Sequence, residues 1–302
     1  MINDIAIVGM GALGLLYGEH LAAALGRESV RFVMDEQRYA RHKNDIYTVN
    51  GKVQQFALQS AADAQPADLV IVATKYSGLA EAMEEMTGLV DEHTVIISVL
   101  NGISSEEKLM QRFGEQNVVH CVALGMDAVR EGTALTYQHK GILKIGCLSD
   151  KQRPALAAVT ELLQRAVLPH TVEKDIMHAL WAKLLLNVGI NQTCMVYETN
   201  YGGALAQDEA RRQMFAAMHE VISVAVKEGV SLTEDDFTTS VQVISGLAPE
   251  GTPSMRQDAL ARRPSEVELF AGTIVALGKK HGVPTPVNQY YYDCIKKIES
   301  QY

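Results

Sequence analysis

The sequence predicts an α/β fold in which a doubly wound parallel sheet is followed by an all-α C-terminal domain. Strand-like and helix-like segments alternate through the first half of the chain, and strand signals nearly vanish after about Thr171. The 302 residues also correspond to two domains, at roughly 100–200 residues for each. We place the boundary where the secondary-structure class changes, which gives domains of residues 1–172 and 173–302.

The first domain repeats a strand–helix–strand unit. Residues 68–74 and 94–100 are apolar and rich in β-branched side chains, which is typical of parallel strands covered on both faces. The dipeptide Asn50-Gly51 predicts a tight hairpin turn. The other predicted elements are a strand at 5–8, a helix at 13–25, a strand at 31–34 and a helix at 79–90.

Two further groups of elements follow. Beyond residues 117–124, short alternating strands are predicted near 134–137 and 142–145, and then one helix near 154–165. The second domain is predicted to be purely helical, with glycine and proline separating its helices. These helices are predicted at 175–198, 208–228, 234–244, 265–281 and 288–300.

Composition argues against several classes of protein. The formal net charge is −9, and no cluster of Lys and Arg is present that would neutralise nucleic-acid phosphates. No uncharged stretch reaches the roughly 18–20 residues of a membrane span. Four scattered cysteines without C-x-x-C spacing indicate neither disulfides nor a zinc site. We therefore expect a cytoplasmic protein with free thiols, no metal, and neither nucleic acid nor membrane as a partner.

The strongest local signal is a G-x-G-x-x-G motif between the first strand and the first helix, Gly9-Met10-Gly11-Ala12-Leu13-Gly14. Its first glycine permits a tight turn, its second lets the backbone approach a pyrophosphate, and its third lets the helix pack close to the strand. The helix N-terminus then offers N–H groups to phosphates. The motif predicts a Rossmann-type dinucleotide-binding domain, and a glycine-rich turn without a ligand is the alternative.

Asp35 lies 21 residues past Gly14, at the end of the predicted second strand. An acid at this point is typical of hydrogen bonds to the adenosine ribose and favours NAD(H), whereas a basic side chain binds the 2′-phosphate of NADP(H). Arg38 and Arg41 follow closely and are candidates for such a phosphate. A solvated cluster of charges is the alternative, so this loop leaves the cofactor choice open.

Two polar residues follow neighbouring predicted strands. Lys75 comes directly after the run ending at Thr74, and Asn101 comes directly after the run ending at Leu100. Open α/β sheets bind ligands at the carboxyl ends of their strands, so both side chains are candidates for the cofactor site. A lysine after a strand is otherwise an ordinary surface residue.

A polar stripe lies on an otherwise apolar helix of the second domain. Lys183, Asn187 and Asn191 are four residues apart, so their side chains fall on one face. Burying an amine and two amides costs free energy unless they are paired. Burial also lowers the pKa of a lysine, which suits proton transfer near neutral pH. The alternative is a lysine that reaches solvent beside two hydrogen-bonded amides.

The segment from Ser254 to Asp258 follows a loop rich in proline and glycine, and Glu266 lies on the next predicted helix. From these residues alone, N-capping by Ser254 is the simpler interpretation, and a substrate site is the other.

In their order, these motifs resemble the ketopantoate reductase (2-dehydropantoate 2-reductase) family. The resemblance spans nearly the whole chain in register. Its tryptophan–lysine–asparagine helix and its S-M-x-Q-D segment are far more specific than the glycine motif. The residues that carry it are G-M-G-A-L-G, T-K-Y, L-N-G, W-x-K-L-x-x-N-x-x-x-N, S-M-R-Q-D and E-V-E-L-F-A-G.

The resemblance implies reduction of 2-dehydropantoate to (R)-pantoate with NADP(H), a step in pantothenate and coenzyme A biosynthesis. It implies that Lys183 is the general acid and that Glu266 is its catalytic partner, bound to a substrate hydroxyl. By the same resemblance, Lys75 and Asn101 bridge cofactor and substrate, and the substrate is held by Asn187, Asn191 and Ser254. Asp35 replaces an arginine that the family often has, so NAD(H) also remains a candidate.

Three functions therefore stay open. The first is ketopantoate reduction, and the second is a related reaction on another 2-keto acid or on a 3-hydroxyacid. The third is a nucleotide-sensing module without turnover, which would leave the Lys183 stripe without a purpose. The expected partner is a small 2-keto acid, and the sequence does not decide between a monomer and a homodimer.

Overall fold

A computed structural model describes residues 1–302, and the chain divides into two compact units, residues 1–176 and 177–302. The first unit contains all the strands and five α-helices, and the second contains no strand. The expected α/β first half and all-α second half are both confirmed. The strands are β1 (Ile5–Val8), β2 (Val30–Met34), β3 (Tyr47–Val49), β4 (Lys52–Gln54), β5 (Ala57–Ser60), β6 (Leu69–Val72), β7 (Val95–Ser98), β8 (Val118–Met126), β9 (Val129–Glu131), β10 (Ala134–Thr136), β11 (Lys140–Gly146) and β12 (His170–Val172).

The helices of the first unit are α1 (Ala12–Leu25), α2 (Glu36–His42), α3 (Leu79–Glu85), α4 (Ser105–Phe113) and α5 (Arg153–Arg165). The later helices are α6 (Ile176–Val196), α7 (Tyr201–Ala206), α8 (Asp208–Lys227), α9 (Glu234–Ser245), α10 (Ser254–Leu260), α11 (Thr273–His281) and α12 (Pro286–Glu299).

Eight strands form one sheet in the order β12-β11-β8-β7-β6-β1-β2-β5. Neighbouring strands are parallel from β5 to β8, β11 is antiparallel to β8, and β12 is parallel to β11. The order β5-β2-β1-β6-β7-β8 corresponds to the 3-2-1-4-5-6 order of Rossmann sheets.

The central strands are buried on both faces, as their apolar sequence predicts. On β1, Ile5 and Ile7 belong to one hydrophobic core, whereas Ala6 and Val8 belong to a second core on the other face. Helices α1 and α5 contribute to the first core, and α3 and α4 contribute to the second. The sheet is therefore doubly wound.

A second sheet has the order β4-β3-β10-β9. The predicted hairpin at Asn50-Gly51 joins β3 to β4, and both residues have positive φ, 48° and 76°, as a type I′ turn requires.

The helix predicted at 265–281 begins later than expected. A π-helical turn occupies Glu268–Gly272, and α11 starts at Thr273. Glu266 therefore precedes the helix, and the expectation that it lies on a helix is wrong. Several short elements were not predicted, because three to seven residues give little periodicity: β5, β9, β12, α2, α7 and α10.

Candidate functional site

The glycine loop leaves no room for side chains at its first and last glycines. Gly9 has φ of 107°, and a Cβ there would lie 2.6 Å from the carbonyl carbon and oxygen of Ala73. A Cβ on Gly14 would lie 2.1 Å from the Gly9 carbonyl oxygen. At Gly11 the nearest atom is the Ala73 oxygen at 3.4 Å, so the other side of this residue is open to a ligand.

The residues around this loop fit a dinucleotide cofactor. The 14-residue helix α1 has Gly11 at its N-cap, with no side-chain cap and no acidic residue in its first turn. Its first N–H groups have no partner within the helix and favour an anion. Two buried hydroxyl oxygens, Thr74 Oγ1 after β6 and Ser104 Oγ after β7, have no hydrogen-bond partner within the protein. A bound dinucleotide would bring polar groups to this edge.

Lys75 and Asn101 both lie at the carboxyl edge of the large sheet. Val72 at the end of β6 pairs with Ser98 at the end of β7, so the segments carrying Lys75 and Asn101 leave adjacent strands at one level. Lys75 is exposed, and Asn101 is half-buried.

A chain of buried hydrogen bonds anchors the segment that carries Asn101. The Ser98 and Ser105 hydroxyls lie 2.9 Å apart, and the Ser105 hydroxyl donates to Glu106 Oε2 at 2.7 Å. Since Ser98 ends β7 and Ser105 begins α4, these bonds tie both ends of the Asn101 loop together.

Asp35 lies at the same edge, because Val33 of β2 pairs with Val8 of β1. Asp35 caps α2, and its Oδ1 accepts the Arg38 backbone N–H at 2.9 Å. Its Oδ2 lies 3.2 Å from Arg38 Nε.

Arg130 is a further candidate for binding the cofactor, and the sequence motifs did not identify it. Its guanidinium donates to the Met10 carbonyl oxygen within the glycine loop and to the Gly132 oxygen. It lies on β9, in the small sheet, 120 positions away from Met10 in sequence. No local pattern connects the two residues. Its positive charge lies beside the loop that is expected to hold a pyrophosphate.

Helix α6 carries the polar stripe of the second unit. Asn187 and Asn191 are buried, with exposures of 7% and 6%. Lys183 is half-buried instead of fully buried, because it adjoins a less buried strip of the helix made by His178, Ala182 and Leu186.

The thiol of Cys194, also on α6, is completely buried. Burial raises its pKa to about 12, with Arg256 opposing the shift. The thiol therefore stays protonated at neutral pH and provides no nucleophile.

Ser254 is the first residue of α10 and is exposed. The N-cap position belongs to Pro253, and no side chain caps the helix. The simpler interpretation, N-capping by Ser254, is therefore wrong. The segment is held instead by Asp258, which is buried and accepts from Arg263 Nε at 2.9 Å.

Glu266 is half-buried and lies between two anchored points. Before it, the Ser265 hydroxyl and backbone N–H donate to Glu299 Oε1 at 2.6 and 2.7 Å. After it, the Leu269 N–H donates to the Glu266 carbonyl oxygen at 2.9 Å. The local backbone therefore has a defined course.

Gln192 links the π-helical turn to α6, and sequence reasoning missed it. In the turn, the Gly272 N–H donates to the Val267 carbonyl at 2.9 Å, which displaces the Ala271 N–H from the helical pattern. Gln192 Oε1 accepts that N–H at 2.9 Å, and its Nε2 donates to the Val188 carbonyl at 3.0 Å. Gln192 is fully buried and directly follows Asn191. The helix of the polar stripe thus fixes the segment that follows Glu266.

None of the helices is sufficiently long and apolar to cross a membrane.

The first unit combines a sheet of Rossmann order with a glycine loop shaped for a dinucleotide. The second unit presents an amine and two buried amides on one helix. Together these features are typical of a dinucleotide-dependent oxidoreductase.

Comparison with known proteins defines the family. Residues 5–150 match the family described as ketopantoate reductase PanE/ApbA, and residues 175–299 match its C-terminal domain. The chain belongs to the ketopantoate reductase family.

Curated relatives agree with this assignment. The 2-dehydropantoate 2-reductase of Streptococcus pyogenes serotype M6 is 25% identical over 285 residues, covering 93% of this chain and 92% of the relative. That of Vibrio cholerae serotype O1 is 24% identical over 312 residues, covering 99% of both chains.

Solved structures share the fold over the same length. A ternary complex of D-mandelate dehydrogenase with NADH and anilino(oxo)acetate has a TM-score of 0.89 at 22% identity, covering 99% of both chains. A dimeric ketopantoate reductase from Staphylococcus aureus has a TM-score of 0.83 at 22% identity, again covering 99% of both chains.

Proposed function

We propose that this protein reduces 2-dehydropantoate to (R)-pantoate with a reduced nicotinamide dinucleotide, a step in pantothenate and coenzyme A biosynthesis. The observation that carries the proposal is the stripe of Lys183, Asn187 and Asn191 on α6, in a chain that matches the family in both of its parts. The family resemblance implies NADPH as the cofactor. The carboxylates around Asp35 and Arg38 favour NADH instead.

Lys183 is the proton donor in this proposal. The dinucleotide, when bound, supplies a hydride to the ketone carbon, and negative charge then develops on the ketone oxygen. An ammonium group beside that oxygen stabilises the charge and provides the proton. The partial exposure of Lys183 lets solvent return a proton to its amine after each turnover.

The remaining residues bind and orient the substrate. The Asn187 and Asn191 amides can each donate and accept, which suits a substrate carrying a carboxylate and a hydroxyl. We assign Ser254 to the same task and Glu266 to the substrate hydroxyl, whose proton a carboxylate accepts. Glu266 is thereby the catalytic partner of Lys183.

Residues of the first unit hold the cofactor in this proposal. The glycine loop from Gly9 to Gly14 and the N-terminus of α1 receive the pyrophosphate. Asp35 contacts the adenosine ribose. Lys75 and Asn101, at the ends of neighbouring strands, would hold the cofactor on the side where the substrate binds.

The test is consumption of reduced cofactor by the purified protein with 2-dehydropantoate, followed by the loss of nicotinamide absorbance. NADH and NADPH are supplied in parallel, and the product is identified by chiral chromatography. Benzoylformate, the ketone of mandelate, and a 3-hydroxyacid with the oxidised cofactor serve as comparison substrates. They are chosen because D-mandelate dehydrogenase shares the fold and because the 3-hydroxyacid reaction is the nearest alternative.

Fastest turnover of 2-dehydropantoate with release of (R)-pantoate supports the proposal. Faster turnover of another keto acid or of the 3-hydroxyacid would reassign the substrate. Dinucleotide binding without turnover of any compound would favour the nucleotide-sensing module instead.

A further inference from the structure

The chain's own carboxylates surround the end of β2, where a cofactor with a 2′-phosphate would place that group. Arg38 is the nearest basic residue there, and Asp35 already contacts both its backbone N–H and its side chain. Two more carboxylates reach the same guanidinium from α3. Arg38 Nη2 lies 3.8 Å from Glu81 Oε2, and Arg38 Nη1 lies 3.7 Å from Glu85 Oε1.

Glu85 is the most constrained of these carboxylates. Its side chain is only 9% exposed, so its charge beside Arg38 is poorly screened by solvent. Burial raises its pKa, and the Arg38 charge opposes that shift.

The charges at this point are unfavourable for an added phosphate. Asp35, Glu81 and Glu85 face the single guanidinium of Arg38, so a 2′-phosphate would meet an excess of negative charge. Arg41 lies in the last turn of α2, roughly 7 Å further along the helix than its first residue. A free ribose 2′-hydroxyl, in contrast, donates a hydrogen bond to a carboxylate.

We propose that this protein selects NADH over NADPH, and that Asp35, Glu81 and Glu85 make the selection by neutralising Arg38 and repelling a 2′-phosphate. Asp35 accepts from the ribose hydroxyls, and the two glutamates hold Arg38 away from the role of a phosphate ligand. The proposal rests on the proposed function only for the binding of a nicotinamide dinucleotide at the glycine loop.

The experiment measures dissociation constants of NADH and NADPH for the whole protein without substrate, from the fluorescence of the reduced nicotinamide. We expect NADPH to bind at least about tenfold more weakly than NADH, equivalent to about 1.4 kcal/mol. In the double variant Glu81→Gln/Glu85→Gln, we expect the ratio of the NADPH to the NADH dissociation constant to fall about fivefold to tenfold. Tighter binding of NADPH should account for most of this change.

Glu84→Gln is the matched control. Glu84 lies on the same helix but pairs with Arg112 at 3.2 Å and is 74% exposed, so its loss should leave the ratio unchanged. Because Glu85 is buried, the fold of the double variant is checked by circular dichroism. The single variant Glu81→Gln, at an exposed position, should shift the ratio in the same direction by a smaller factor.

Equal or tighter binding of NADPH by the unaltered protein would overturn the proposal. A ratio that does not change in the glutamate variants, or that changes equally in Glu84→Gln, would remove these carboxylates from the selection. Absence of binding by either dinucleotide would also refute it. Preference for NADH without reduction of 2-dehydropantoate would count against the proposed function alone.

Discussion

The glycine loop of the first unit is formed by backbone geometry, whereas the polar helix of the second unit is formed by side chains. The loop derives its shape from backbone: the register of three strands, a positive φ at Gly9, and contacts too close for a Cβ at Gly9 and Gly14. The polar helix depends on side-chain hydrogen bonds between distant residues. Gln192 and Ala271 are 79 positions apart.

This difference indicates how each site responds to substitution. A backbone-built loop is sensitive to side chains added at its glycines, and it does not depend on what the helix of the second unit carries. A site made of side chains loses its chemistry with single substitutions, even where the fold is kept. Substitutions in the two units therefore test this contrast.

The largest effect is expected for Lys183→Ala. Loss of a general acid should lower kcat for 2-dehydropantoate by about 10²–10⁴-fold. The dissociation constant of the reduced dinucleotide should change less than about twofold, because the glycine loop lies in the other unit. Lys227→Ala, at an exposed position on α8, is the control and should match the unaltered protein. Near-normal turnover by Lys183→Ala would remove its catalytic role.

A smaller effect is expected for Gln192→Leu. This change keeps bulk but removes the acceptor of the Ala271 N–H, so the segment after Glu266 loses its attachment to α6. Gln192 is a positioning residue, and small displacements of a catalytic group cost up to about 100-fold in rate. We expect kcat to fall about 10-fold to 100-fold, with dinucleotide affinity unchanged.

Thr193→Val provides the matched control for Gln192→Leu. The Thr193 hydroxyl is also buried on α6, and it shares a hydrogen bond of 2.7 Å with the Tyr291 hydroxyl of α12 instead of with the π-helical turn. Both variants should lower the thermal midpoint to a similar degree, because each leaves a buried polar group unpaired. A similar fall in kcat in both variants would indicate general loosening and would contradict the positioning role.

The smallest effect is expected in the pH dependence of folding stability, through a buried histidine in the sheet that carries the glycine loop. His120 on β8 is 3% exposed, and burial lowers its pKa from 6.5 to about 4. The unfolded chain therefore binds a proton near pH 6.5, whereas the folded chain binds it only near pH 4. Stability contributed by neutral His120 is complete above pH 6.5 and is lost as the pH falls toward 4.

Uptake of one proton on unfolding changes the free energy of unfolding by at most about 1.4 kcal/mol per pH unit. We therefore expect the free energy of unfolding to fall by about 1 kcal/mol between about pH 6 and about pH 5. Denaturant unfolding at these two values measures it. His120→Leu should lack this part of the dependence, whereas His93→Leu, with an 85% exposed side chain, should retain it. A pH dependence equal in all three proteins would refute the assignment.

The sequence predicts the central fold and the dinucleotide loop because their information is local. The strands 69–72 and 95–98, apolar except for Ser98, specify a sheet covered on both faces. The spacing of Gly9, Gly11 and Gly14 specifies a loop between strand and helix. The stripe of Lys183, Asn187 and Asn191 is equally local, since helical periodicity alone aligns it.

The partners of these residues were not predictable in the same way. Arg130 of β9 contacts Met10 across 120 positions, and Glu85 of α3 lies beside Arg38 of α2. Such contacts depend on strand order and on helix packing, which no local pattern of residues records. The exact start of the helix after Glu266 was also missed, because an i to i−5 hydrogen bond leaves no separate signature in apolar spacing.

The π-helical turn at Glu268–Gly272 has one more consequence. A turn of this kind contains one residue more than an α-helical turn, so it acts as a single-residue insertion that sets the rotational phase of everything preceding it. Removing one residue from the turn would rotate Glu266 by about 100° around the helix axis relative to α11. The carboxylate would then point in another direction while the apolar core contacts of α11 stayed in place. A single deletion in this turn would therefore redirect the Glu266 carboxylate without any substitution at Glu266 itself.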